Sequence, residues 1–510
     1  MRWSYLPPLM VYLAAGIQGL TGIVGTFFIK DYLGLSAEFL AALGFWAGIP
    51  WALKMPIGHW VDVIWRYKSW LIVLGAFLIA LSLSIMATLI GSRDLLTPWA
   101  SANTWFVWSA LLAPIGYVLQ DAVADAMTVE AVPHAQDNGQ PFGEEELKSM
   151  HTTMQTLGRV AIIGGTVLVA LLNLFLFSGT ENLPEAERVL LYERVYWMAL
   201  SIPVISVSGV LLHLLIQRRK QPHSSAVPSN PPVRPNPWIL GGSALFAGFT
   251  VVMGLSEWRY AQELIFMGSL GIIGFLMARL MRELTPTART TLLGTALMIF
   301  LFRATPSAGP GVSWWMIDEL GFDPPFFSKL SLIGSVLTLL GMFMFRRFMA
   351  ERPMWHVIVF LTLAGAVLSL PFLGMSMGLH HYTAALTGGV VDARFIALID
   401  TALESPLGQI SMIPMLAWIA NSAPQHLKAT YFAVMASFTN LALSASSLGT
   451  KYLNQFFVIE RASKDPQTLQ LVTQANYADL TSLLVWTLLL GLLLPLLGIA
   501  LARVLGWRST

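Results

Sequence analysis

The stretch QRRKQPHSSAVPSNPPVRPNP, residues 217–237, divides the chain. It is rich in Pro, Ser and Arg, can bury nothing, and reads as a solvated linker. On either side of it, apolar runs recur at the length that crosses a ~30 Å hydrocarbon core. Six precede it, near 8–29, 38–58, 70–91, 103–130, 152–178 and 194–216. Two follow near 238–256 and 262–282, and six more near 288–308, 326–349, 354–378, 390–419, 427–454 and 480–504. About fourteen spans are therefore expected. The fold class they imply is an all-α polytopic membrane protein. A six-helix bundle is expected at 1–216 and another at 285–510, with an inserted two-helix hairpin at 238–284. Two spans return the chain to the same side, so the insertion preserves topology.

Composition agrees. The 510 residues are 55% hydrophobic and 11% charged, and the mean hydropathy is +0.66. A soluble domain carries roughly 25% charged residues, so this chain has too few to cover a water-facing surface. The net charge of +2 comes with no basic stripe, and no nucleic-acid partner is expected. Cysteine is absent, which excludes disulfides, thiolate metal sites and cysteine catalysis. The first apolar run exceeds a signal-peptide core and lacks a cleavage site, so it reads as the first transmembrane helix. One alternate set of loops, with Arg66, Lys68, Arg218, Arg219, Lys220, Arg346 and Arg347 among its residues, holds about seventeen Lys and Arg against about seven opposite. Both termini and the linker are thus expected in the cytoplasm. Short loops and no targeting segment suit a bacterial inner (plasma) membrane.

A charge at mid-span costs about 2.5–3.5 kcal/mol and must face protein or a wet cavity. In YVLQDAVADAMTVEAV, Asp121 and Asp125 share a helix face at i,i+4, with Gln120 beside them. In RFIALIDTALESPLGQISMIPM, Asp400 and Glu404 repeat the spacing and Gln409 follows. If 238–282 is an insertion, these helices are the fourth of each half. Paired carboxylates repel, which favours one shared proton, as a proton carrier requires; each acid could equally pair with a nearby Arg or Lys. Arg303 lies deep in LLGTALMIFLFRATPSAGP. It is either a bidentate clamp for an anionic substrate or the structural partner of Asp400 or Glu404. Lys54 and Arg159 lie nearer one face and read as cytoplasmic gate residues, together with Gly58, Asp62 and Arg66 of GHWVDVIWRYK. There the Gly permits close helix approach and the Asp pairs in one state.

Gly16, Gly19, Gly22 and Gly25 recur along the first span at a spacing that lets helices approach, and Gln18 among them is a candidate substrate contact. The Pro-Ser-Ala-Gly-Pro-Gly break after Arg303 interrupts the corresponding helix of the second half, and such interruptions point to a binding site. Trp46, Trp51, Trp314 and Trp315 read as interfacial belt residues. No catalytic set, phosphate loop or nucleotide fingerprint is present, so neither an enzyme nor a cofactor is expected.

On these motifs the chain resembles the folate–biopterin transporter family, a branch of the major facilitator superfamily. The resemblance rests on GIQGLTGIVGTFFIKDYLGLS at 16–36, PWALKMPIGHWVD at 50–62, LQDAVADAMTVE at 119–130 and FLFRATPSAGPGVSWWMIDELGF at 300–322. It continues through LGQISMIPML after Asp400 to FTNLALSASSLGT at 438–450. The chain departs in the short loop after Asp62 and in the 238–282 hairpin, which exceeds a twelve-span plan. The resemblance implies a major facilitator fold and proton-coupled uptake of folates or pterins by a monomer in the lipid bilayer. A facilitator for another small organic anion or drug, and a non-transporting assembly or pigment-delivery factor, are the competing readings.

Overall fold

The computed structural model of the protein describes residues 3–52, 54–64, 67–132, 140, 142–180, 183–220, 241, 247–254, 256, 258–282, 284–408, 410–412, 415, 428–464 and 471–507. Among these, nine helices are long and apolar enough to cross a membrane, from Trp3–Leu33 to Leu480–Val504. Residues 37–52 and 54–63 are also helical, and Pro286–Arg303 is parted from Gly311–Asp318 by a nonhelical turn at 304–310. Helix Ser201–Lys220 takes in the first four linker residues, and the rest of the linker lies outside the described residues. A two-stranded antiparallel ribbon, Ser463–Lys464 against Leu471–Thr473, is an element the sequence reading did not include.

The chain forms two compact units, Met1–Val24 with Pro56–Gly248 and Gly25–Met55 with Phe249–Thr510. In lipid there is no hydrophobic drive between helices, so close backbone approach and interhelical hydrogen bonds must hold them. The first unit shows both. Helix Ser69–Gly91 crosses Ala102–Ala131 where Gly75 meets Gly116; a Cβ on either would fall 2.5–2.6 Å from the other's carbonyl oxygen. Further along the same pair, Ser82 Oγ donates to Ser109 O at 2.8 Å and Ser109 Oγ donates to Ser82 O at 3.0 Å.

Helix Leu6–Ile17 packs on Glu144–Phe177 through Gly16 and Gly165, where a Cβ on Gly165 would sit 2.8 Å from Gly16 Cα. One turn on, the helix tightens to 3₁₀ over Gln18–Thr21. Here Gly19 and Gly22 face open space and Gln18 is exposed. The glycine repeat therefore divides by role: Gly16 serves packing, whereas Gly19 and Gly22 keep a face open. Gly16→Ala is expected to lower the yield of monodisperse protein severely, because its methyl would collide with the Ile162 carbonyl. Gly19→Ala should match the parent by size-exclusion chromatography. Equal yields from both would show that the crossing is not tight.

In the second unit, Ala37–Ala52 lies along Lys428–Phe456, and Pro286–Arg303 lies along Leu480–Val504. The core gathers Trp314, Trp315, Phe322, Phe326, Met375, Ile396 and Leu483. Trp314 is 2% exposed, which corrects the interfacial-belt reading of this pair. The turn at 304–310 sets Gly311–Asp318 apart as its own helix, whose Trp pair packs inward. Helix Ala261–Met281 docks in this unit through its first turn. Gln262 Nε2 donates to Ala42 O at 3.1 Å, and Glu263 accepts from Lys451 Nζ at 3.1 Å.

Candidate functional site

In the first unit the polar residues converge on Tyr12. Its ring lies against Gly158, where a Cβ would come within 2.9 Å of it. Its hydroxyl donates to Asp125 Oδ1 at 2.6 Å. Asp121 and Arg159 lie within electrostatic reach of the same hydroxyl. The structure thus brings Asp121, Asp125 and Arg159, drawn from two helices, around Tyr12, which the sequence reading did not single out. Gln120 is placed differently. It is 3% exposed, and its amide donates to Ile72 O at 3.2 Å and Ser206 Oγ at 2.9 Å, tying three helices together.

In the second unit Arg303 ends helix Pro286–Arg303, partly buried. Its Nη1 faces two thioethers, Met412 Sδ at 3.5 Å and Met415 Sδ at 3.7 Å, and its buried Nε has no hydrogen-bond partner among the described residues. Thioether sulfur is a weak acceptor, so the guanidinium keeps most of its capacity for an anion. Asp400 follows Ile396 by one turn on the inward face of Ala393–Glu404, and its buried Oδ1 is also without a partner among the described residues. Phe395, Ile399 and Leu403 form the exposed stripe of that helix, and Glu404 is exposed at its last turn. Among the described residues Arg303 and Asp400 do not form an ion pair, so the structural-partner reading of Arg303 with either acid finds no contact.

The turn after Arg303 is held by one face of helix Lys428–Phe456. Thr450 Oγ1 accepts from Ser307 N at 3.0 Å, Ser446 Oγ donates to Thr305 O at 2.7 Å, and Asn454 Nδ2 donates to Ala308 O at 3.1 Å. Gly309 takes φ of +80°, and a Cβ there would lie 2.9 Å from Asn454 Nδ2. A cleft of about 250 Å³ opens beside the turn, bounded by Gly44, Ser307, Pro310, Ser447 and Thr450.

A third polar group joins the end of the first span to this unit. Lys30, 5% exposed, pairs with Asp318 Oδ1 and with Asp31 at 3.2 Å. Tyr477 donates to Asp318 Oδ2 at 2.6 Å, and Arg461 Nη1 donates to Ile29 O at 2.7 Å while its guanidinium lies 4.9 Å over the Trp314 ring. Burial pulls the Arg461 guanidinium down to about 10, against the pull of Asp31, Tyr477 and Asp318. Burial and the bond to Asp318 hold the Tyr477 hydroxyl well above the usual phenol range, so it stays a donor. In the sequence Lys30 reads as a loop charge and as part of the family motif at 16–36, not as a member of a buried cluster. The clue available there was Lys-Asp directly after an apolar run.

The remaining expected gate residues are less fully described. Lys54 lies in helix Lys54–Val63, partly buried, and a Cβ on Gly58 would meet nothing within 4 Å among the described residues. The Asp62 side chain, Arg66 and Gln409 lie outside the described residues.

Known structures share this architecture. The chain aligns over 98% of its length with 95% of a POT family transporter crystallised with a thioalcohol-conjugated peptide, at a TM-score of 0.62 and 10% identity. It aligns over 98% of its length with 99% of the nucleoside transporter NupG, at a TM-score of 0.53 and 12% identity. The fold is that of an all-helical polytopic membrane protein of the major facilitator type. Within that class, the chain belongs to the BT1 family, the folate–biopterin transporters, which it matches over residues 15–506. It is similar to the "Folate-biopterin transporter" of Synechocystis sp., 24% identical over 98% of this chain and 81% of the relative. It also resembles "Folate transporter 2" of Plasmodium falciparum, 22% identical over 36% of this chain and 38% of that protein.

Proposed function

We propose that the protein is a secondary active transporter that takes up folates or pterins together with protons by alternating access. The observation that carries this reading is Arg303, a partly buried guanidinium whose hydrogen-bond contacts among the described residues are thioethers and whose buried Nε is unpartnered among them. A cation at membrane depth without a counter-ion is costly, and a transported carboxylate supplies the missing partner. Gln18 and the open face of Gly19 and Gly22 fit the same role in the first half, since a polar, ridged helix face is better solvated by water than by lipid. Asp400, unpartnered at Oδ1, suits a proton site or an acceptor for a pterin's amino edge; Glu404 extends it by one turn. Asp121 and Asp125, gathered about Tyr12, are the proton-coupling candidates of the first half. Lys54, Gly58, Asp62, Arg66 and Arg159 form the proposed cytoplasmic gate.

In this reading the chain has about fourteen spans, its termini are cytoplasmic, and it works as a monomer in a bacterial inner membrane. Lys30, Asp318, Arg461 and Tyr477 then lie toward the outer face. Their buried ionic contacts make that end a closure that must part when the site opens outward.

Energetics give the coupling test. Each charge moved against the membrane potential costs about 2.3 kcal/mol per 100 mV. A dianionic folate entering a negative interior therefore needs two protons to break even electrically, and a neutral pterin none. Labelled folate uptake into proteoliposomes is expected to rise as the outside is acidified and to collapse with an uncoupler. Asp400→Asn should flatten the pH response. Uptake indifferent to the gradient would rule out proton coupling, and failure of pteroates to compete would favour another organic anion.

A further inference from the structure

We infer that Ser446, Thr450 and Asn454 are positioning residues: one polar stripe that fixes the turn at 304–310 in the shape that presents Arg303. They stand at i, i+4 and i+8 on helix Lys428–Phe456 and so share a face. The turn they meet leaves backbone groups outside any helix, and at membrane depth each unsatisfied group costs several kcal/mol.

The hydrogens of the stripe are fully assigned. Thr450 Oγ1 donates to Ser446 O at 2.9 Å and accepts from Ser307 N at 3.0 Å. Ser446 Oγ spends its hydrogen on Thr305 O, and Asn454 Nδ2 spends its two on Ala308 O at 3.1 Å and Thr450 O at 2.9 Å. Thr450 and Asn454 are 5% and 4% exposed, so water does not replace these bonds. Sterics agree with the polar fit: a Cβ on Gly449 would fall 3.0 Å from Pro306 Cβ, so this face receives the proline ring as well as the carbonyls. Arg303 is the last helical residue before the turn, and Ala304 N still bonds to Phe300 O at 2.8 Å. The direction in which the chain leaves Arg303 is therefore set by what grips Thr305, Ser307 and Ala308.

The inference rests on the proposed role of Arg303 for its functional half, and two readouts separate the halves. Thr450→Val keeps the shape and removes the hydroxyl, whereas Thr450→Ser keeps the hydroxyl. In purified full-length protein, Thr450→Val is expected to raise amide hydrogen exchange in peptides covering 303–310 about tenfold, with exchange in Ser69–Gly91 unchanged. In proteoliposomes the same variant is expected to raise the KM for folic acid about tenfold with little change in maximal rate, and Thr450→Ser should restore it. In an Arg303→Ala background, Thr450→Val should add little further loss, since positioning acts through the arginine. Unchanged exchange at 303–310 would overturn the inference whatever is transported. So would additive losses in the double variant. Loosened exchange in a protein whose parent takes up no folate would leave the stripe's positioning role standing and sink the substrate reading instead.

Discussion

Arg303→Ala is expected to lower initial folate uptake about a hundredfold while leaving the melting temperature unchanged or slightly raised. The two halves of that expectation have one cause. A carboxylate held bidentately by a guanidinium at membrane depth is worth two charge-assisted hydrogen bonds, and these vanish with the side chain. No described acid loses its counter-ion, however, because among the described residues Arg303 makes no salt bridge and hydrogen-bonds only to Met412 and Met415. Removing an unpaired buried charge relieves a desolvation cost. Arg303→Lys keeps the charge without the fork and should recover only a small part of the uptake. Uptake is read with labelled folic acid in proteoliposomes and stability by thermal unfolding of the same preparations. A melting temperature several degrees lower, with uptake lost in proportion, would make Arg303 a structural residue.

Lys30→Ala should behave in the opposite way. It removes the ammonium that pairs with both Asp318 and Asp31, in a region where Lys30 itself is 5% exposed. Breaking a buried pair by deleting one partner costs about 3–5 kcal/mol, so a melting temperature lower by about 10 °C and severely reduced uptake are expected. Exchanging the charges, Lys30→Asp with Asp318→Lys, should recover a good part of both. A single variant with parental stability and uptake would show that the cluster holds nothing. Stability recovered by the exchange without any uptake would separate its structural role from the proposed outer closure.

The apolar helices and the break after Arg303 could be read from the sequence, because each is a local feature of an apolar run. What could not be read was which groups meet. Gln120 beside Asp121 looked like a ligand-facing amide, yet its hydrogens are used between helices. Tyr12 became visible only with Asp125, 113 residues away. Trp314 and Trp315 looked interfacial because interfacial tryptophans also follow a break, and only the packing of Gly311–Asp318 shows them inside. Ser446 and Thr450 were legible as small polar residues in a span, a pattern that serves helix packing anywhere. Their particular use depends on a turn 143 residues earlier in the case of Ser307 and Thr450.

That separation has a consequence for how the protein is made. The turn at 304–310 leaves the ribosome long before the hydroxyls and amide that satisfy it. Until Lys428–Phe456 is synthesised, its open carbonyls and amides have no place in hydrocarbon. In the proposed membrane arrangement the nascent chain must therefore keep this segment in a watery or proteinaceous shelter until that helix arrives.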